Sequence, residues 1–105
     1  MKKKTMIKHK FNAVRTERDG IKFPSKKEGR RYDELCLMQK IGGIIFFLRQ
    51  PLFDLGGGTT YRADFLIFWS NGKVTVEDVK GMQTKAFKKA KRQVEARYPV
   101  EIIVV

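Results

Sequence analysis

The chain has 105 residues, with 23 Lys or Arg against 11 Asp or Glu, a formal net charge of +12. That length supports one domain with a real core and leaves no room for a second, and 42% apolar with 32% charged residues excludes a disordered chain. So large a positive excess points to a polyanionic partner, nucleic acid ahead of an acidic membrane surface, with plain solubility as the bland alternative.

In chain order, Met1 to Lys10 hold five lysines and no acid, the start of a partly flexible basic arm over residues 1–22. Its positive start resembles that of a signal peptide, but no apolar segment follows. The longest apolar run, Ile41 to Leu48, is too short to span a bilayer. The single Cys36 forms no internal disulfide and fits a reducing cytoplasm. The lone His9 argues against a zinc site and against histidine triads. From Phe11 to Phe23 the pattern is irregular, a loop with at most a short strand.

A helix follows in "PSKKEGRRYDELCLMQKIGG". Ser25 is its N-cap, Glu28 stands three residues on, and Gly42–Gly43 stop it. "IIFFLRQPLFDL" is a strand that bends at Pro51, and "GGGTT" is a hairpin loop. "YRADFLIFW" and "KVTVEDVK" are two strands joined by "SNG". "TKAFKKAKRQVEARY" is a second helix, with Phe87, Ala90 and Val94 on an apolar stripe and Lys85, Lys88, Lys89 and Arg92 on a basic one. "PVEIIVV" is a last strand. The order α-β-β-β-α-β predicts an α/β fold, a mixed sheet with flanking helices and a core over residues 23–105.

The charges at the end of "VTVEDVKG" need a reason, because acids are poor strand formers and costly to bury. By alternation Val74, Val76, Asp78 and Lys80 share one face, and Asp64 lies with Arg62, Leu66 and Phe68 on its own strand. A two-residue Asn71–Gly72 turn would set Asp64 opposite Val79. A three-residue Ser70–Asn71–Gly72 loop pairs Trp69 with Lys73 and Asp64 with Asp78. The second register is preferred because it brings both acids onto one face. Directly opposed residues have Cβ atoms roughly 4.5–5.5 Å apart, where like charges repel, so the pair needs a cation or a shared proton. Magnesium favours such oxygen ligands together with water and phosphate. Lys80, two residues on, adds a positive charge near the reacting phosphate, completing the parts for metal-assisted phosphodiester hydrolysis. Glu28 is either a capping-box residue or a further site acid, since Tyr32 and Leu35 follow at i+4 and i+7. Glu77 faces away, as a surface or supporting acid, and Gln50 beside Pro51 is a candidate neighbour of the cleft.

These residues resemble the PD-(D/E)xK nuclease superfamily: Asp64 on the second core strand, Asp78-Val79-Lys80 on the third, Glu28 on the preceding helix. The strings "FPSKKEGRRYDEL", "QPLFDL", "YRADFLIF", "VEDVKG" and "TKAFKKAK" are similar to a small phage-associated branch once described only as a domain of unknown function. The resemblance covers nearly the whole chain from Phe23 on. It departs at Ala63, where the superfamily has its eponymous proline, and at Asp78, where glutamate is commoner. It implies a restriction-endonuclease-like core and a magnesium-dependent DNA endonuclease, with manganese substituting. Asp64, Asp78, Lys80 and Glu28 would be catalytic, and the three acids would hold the metal. Branched or junction DNA of phage-type recombination or processing is the implied substrate, in the cytoplasm of a bacterial host.

Lys26, Lys27, Arg30 and Arg31, with Lys85, Lys88, Lys89 and Arg92, are candidate phosphate contacts. No base-reading element is evident, which favours structure-selective over sequence-specific cutting. A non-catalytic basic nucleic-acid-binding protein is the alternative, and a small RNA-associated domain a third reading. A homodimer is expected by analogy, with "EIIVV" as a pairing edge.

Overall fold

The computed structural model describes residues 15–105; the basic segment Met1 to Lys10, with His9, lies outside the described residues. The protein is α/β, with two helices and a mixed sheet. The chain divides into two compact units that part between Leu37 and Met38, within helix α1 (Lys26–Lys40).

In the first unit, β1 (Thr16–Arg18) and β2 (Ile21–Phe23) form an antiparallel hairpin where the sequence suggested mainly loop. The turn is Asp19–Gly20, both at positive φ (52° and 79°), as a two-residue hairpin turn requires. Asp-Gly is the signal that the irregular pattern obscured. α1 begins as expected, its Glu28 N–H donating to Ser25 Oγ at 3.1 Å. Arg18 donates from Nε to Asp33 Oδ2 at 2.7 Å, which ties β1 to α1. Gly29 makes that approach possible: a Cβ there would meet the Thr16 methyl at 2.6 Å. Phe23 and Leu35 are fully buried. The Tyr32 hydroxyl, desolvated and donating to Asp19 Oδ2, has its pKa pushed up to about 12.

The second unit carries the sheet. β3 (Ile44–Arg49), β6 (Phe65–Trp69), β7 (Val74–Asp78) and β8 (Ile102–Val104) lie in the order β3-β6-β7-β8, antiparallel except for the parallel β7–β8 pair. The single long strand expected across Pro51 is two strands. Gln50 takes φ 52°, proline cannot donate to a ladder, and the chain leaves the sheet. β4 (Leu52–Gly56) and β5 (Thr59–Arg62) then pair only with each other, as a ribbon turning at Gly57–Gly58. The chain re-enters the sheet through Ala63 and Asp64. Arg62, expected beside Asp64 on one strand, therefore belongs to the ribbon.

α2 (Lys85–Arg97) connects β7 to β8. Thr84 is its N-cap, accepting the Phe87 N–H at 3.1 Å. Phe87 and Val94 are buried with Val76 and Ile102 of the sheet and Phe53 and Leu55 of the ribbon. Each such side chain contributes about 1.5–3 kcal/mol when removed from water. At the helix end the Tyr98 hydroxyl donates to Asp54 O at 2.6 Å, pinning the ribbon to α2. β8 is one edge of the sheet, and its Ile102 N–H donates to Glu95 Oε2 of α2 at 2.8 Å. Lys91 pairs with the same oxygen at 3.0 Å. Among the described residues no helix is long and apolar enough to cross a membrane.

Candidate active site

The turn between β6 and β7 sets the geometry of the opposite end of that hairpin. Its loop is Ser70–Asn71–Gly72, with Gly72 at φ 92° and the Trp69 N–H bonded to Lys73 O at 2.9 Å. The pairs Phe68–Val74, Leu66–Val76 and Phe65–Glu77 follow, the register of the three-residue loop. One rung further would set Asp64 against Asp78.

The ladder changes at that rung. The Asp64 N–H goes to Glu77 O at 3.1 Å. The Val79 N–H, which a continuing ladder would direct to a backbone carbonyl, donates to the Asp64 carboxylate (Oδ2, 2.7 Å). On its other side Asp64 O accepts the Gln50 N–H at 2.8 Å. Asp64 is therefore held by the main chain on both flanks, and its carboxylate is built into the end of the sheet. This backbone bond stabilises the Asp64 charge, a contribution beside the cation or shared proton that simple opposition implied.

Asp78 is 2% exposed. Its Oδ1 lies 3.6 Å from Lys80 Nζ, and its buried Oδ2 has no hydrogen-bond partner among the described residues. Burial raises the Asp78 carboxyl above its ordinary value, against the opposing pull of the Lys80 ammonium. Burial raises Asp64 as well, opposed by the Val79 N–H and by the charges of Lys80 and Arg49. One lysine thus acts on both acids. Lys80 Nζ also stands 4.9 Å from the centroid of the Phe87 ring. Two contributors were not among the expected site residues. Arg49 carries a charge at the end of β3, the same strand-end signal that marked Asp78. Phe87 follows Lys80 by seven residues across a loop, a spacing with no periodic meaning.

The remaining candidates are placed as follows. Glu77, expected at the surface or in support, is buried, 3% exposed, on the opposite side of β7. Gln50 is exposed and meets Asp64 through its backbone. Glu28 is buried in the first turn of α1, in the other unit. Lys85, Lys88, Lys89 and Arg92 are all exposed on α2. In the first unit Lys26, Lys27 and Arg30 are exposed, and Arg31 bonds Glu34 Oε1 at 2.8 Å. Among the described residues no three of His, Cys, Asp and Glu form a metal-holding group, so what the second unit offers is a pair of acids with a lysine.

An unpartnered, buried carboxylate oxygen is costly unless a cation reaches it. Asp78 Oδ2 is such an oxygen, and it suits a hard divalent ion, which takes carboxylate ligands and completes its shell with water. No curated protein matches the chain. The model of a family described as a protein of unknown function, DUF1064, matches residues 8–103, and the chain belongs to that family.

Proposed function

We propose that this protein is a metal-dependent DNA endonuclease of the PD-(D/E)xK type, acting at the open end of the β6–β7 hairpin. The observation that carries the reading is the buried, unpartnered Asp78 Oδ2 next to an acid fixed by the backbone and a lysine that acts on both. A structural ion pair would have satisfied that oxygen.

Asp64 and Asp78 would hold a magnesium ion, with manganese substituting. Such an ion supplies Lewis acidity and lowers the pKa of a bound water. The chain's own residues do the rest. The Val79 N–H fixes the orientation of the Asp64 carboxylate. The Lys80 ammonium offers a positive charge to a phosphate oxygen, where electrostatic stabilisation acts on developing charge. The exposed Lys85, Lys88, Lys89 and Arg92 succeed one another at i, i+3, i+4 and i+7 on α2, a stripe suited to a phosphate backbone. Contacts of that kind carry no base information, which supports a preference for DNA shape, branched or junction DNA, over sequence.

A second copy is part of the proposal, since one small chain covers little of a junction. The β8 edge offers less to it than the sequence suggested, because Glu95 already takes the Ile102 N–H.

The experiment is a magnesium and manganese titration over linear, flap and four-way DNA. Cutting is expected, concentrated on branched forms, and Asp78→Ala removes it while DNA binding stays. Absence of cutting on every form in both metals overturns the reading. The alternative, a non-catalytic basic nucleic-acid binder, draws on the lack of a three-acid group among the described residues. Under it, Asp78→Ala tightens DNA binding and added metal leaves the melting temperature unchanged.

A further inference from the structure

We propose that Phe87 is the positioning residue of Lys80. The catalytic meaning of this rests on the nuclease reading above; its geometry does not. Lys80 Nζ lies 4.9 Å from the Phe87 ring centroid, inside the roughly 6 Å over which a ring face attracts an ammonium. β7 has ended at Asp78. The Lys80 N–H reaches Val105 O at 3.4 Å, and the ion pair with Asp78 spans 3.6 Å, both long for hydrogen bonds. A flexible four-carbon stem leaving a strand end gains a fixed wall where it meets a buried ring.

Phe87 is built to be that wall. It is 6% exposed and packed among Val76, Val94 and Ile102. Its N–H is held by the Thr84 hydroxyl at 3.1 Å, and the Tyr61 ring stands 6.3 Å away. The same residue therefore anchors the first turn of α2, fills the core and turns a π-face to the ammonium. The helix cap is connected in three contacts to the acid pair: Thr84 to Phe87, Phe87 to Lys80, Lys80 to Asp78.

Three substitutions separate this role from packing. Phe87→Leu keeps the bulk and removes the ring, Phe87→Tyr keeps the ring, and fluorinated phenylalanines at position 87 keep the shape while draining the π-face. In single-turnover cleavage at saturating metal, Phe87→Leu is expected to slow the reaction about tenfold, as a contact of this class converts, with the DNA Kd unchanged. Phe87→Tyr stays within about threefold of the parent, and the logarithm of the rate falls steadily with each added fluorine. In the metal-free protein, proton NMR of the Lys80 ε-methylene, assigned with Lys80→Arg, is expected to show an upfield ring-current shift that Phe87→Leu abolishes. Lys80 protons at unshifted positions, or a rate indifferent to fluorination, overturn the proposal. If the parent protein cuts no DNA, the nuclease reading and with it the catalytic meaning fall, and the NMR comparison alone decides whether the ring holds the ammonium.

Discussion

The two ends of the β6–β7 hairpin are finished in opposite ways. At the turn, neutral groups close the structure: Trp69 N–H to Lys73 O, Gly72 N–H to Trp69 O, Lys73 N–H to Asn71 Oδ1, Ser70 N–H to Gly43 O. At the other end the last N–H is met by a carboxylate, and a second carboxylate lies buried with an oxygen left over. The same two strands, a few residues apart, are thus sealed in one place and held open in the other. The sealed end determines the register, and the register brings Asp64 to the rung of Asp78, where its carboxylate takes the Val79 N–H. A hairpin built for stability alone would have ended both ways like the turn, because buried charge weakens a fold unless something outside it is bound.

The sharpest break in that comparison is chemical. Asp78→Ala or Lys80→Ala is expected to lower DNA cleavage by about 10³-fold or more in a gel assay, the scale of losing a charge-stabilising group, while the turn variant below leaves cleavage intact. Next comes stability. Burial lifts the folded-state pKa of Asp78, so folding favours its protonated form. The stability it contributes is complete below the ordinary carboxylate range and is lost as pH rises through the raised value. At neutral pH its charge is a cost, and Asp78→Asn should therefore raise the melting temperature, on the order of 4–8 °C for each kcal/mol relieved. The gain should vanish in acid, where the parent is already neutral; a lower melting temperature at neutral pH would contradict the contrast between the ends.

A smaller effect tests the stripe that follows the open end. Replacing Lys88 and Arg92 by Gln should weaken DNA binding and flatten the salt dependence by about 0.9 in log–log slope per lost contact, read by fluorescence anisotropy across salt. The smallest is at the sealed end. Gly72 is at φ 92°, and beyond its chain neighbours no atom lies within 4 Å of the place a methyl would take there. Gly72→Ala therefore meets only the backbone penalty and should cost about 1 kcal/mol in urea unfolding.

Much of this was legible residue by residue. Ser25 and the Gly42–Gly43 pair bracketed α1, the Ser70–Asn71–Gly72 loop announced the turn, and the register from that turn carried Asp64, Asp78 and Lys80 to one end of the hairpin. Periodicity and turn chemistry are local, and local signals survive in a linear string. What failed to show was non-local or conformational. Gln50 at positive φ cannot be inferred from a residue type that rarely adopts it, so the exit of β4–β5 from the sheet read as a mere bend. The Asp64 bond to Val79 replaces a backbone acceptor with a side chain, which alternation cannot foresee. The pairing of Lys80 with Phe87 depends on where α2 packs, a tertiary outcome. The burial of Glu77 likewise depends on what covers its side of the sheet.

The grip of Glu95 on Ile102 has a consequence for how molecules of this protein meet one another. A terminal strand at a sheet margin is an invitation to recruit a stranger's strand, and here an anion from the neighbouring helix has answered it first. Burial raises the Glu95 carboxyl, but the Ile102 N–H and Lys91 more than offset this and bring it below its usual range, so the latch is shut at neutral pH and weakens as acid protonates it. Acidification to below the ordinary carboxylate range would uncover that margin and leave it open to strand exchange.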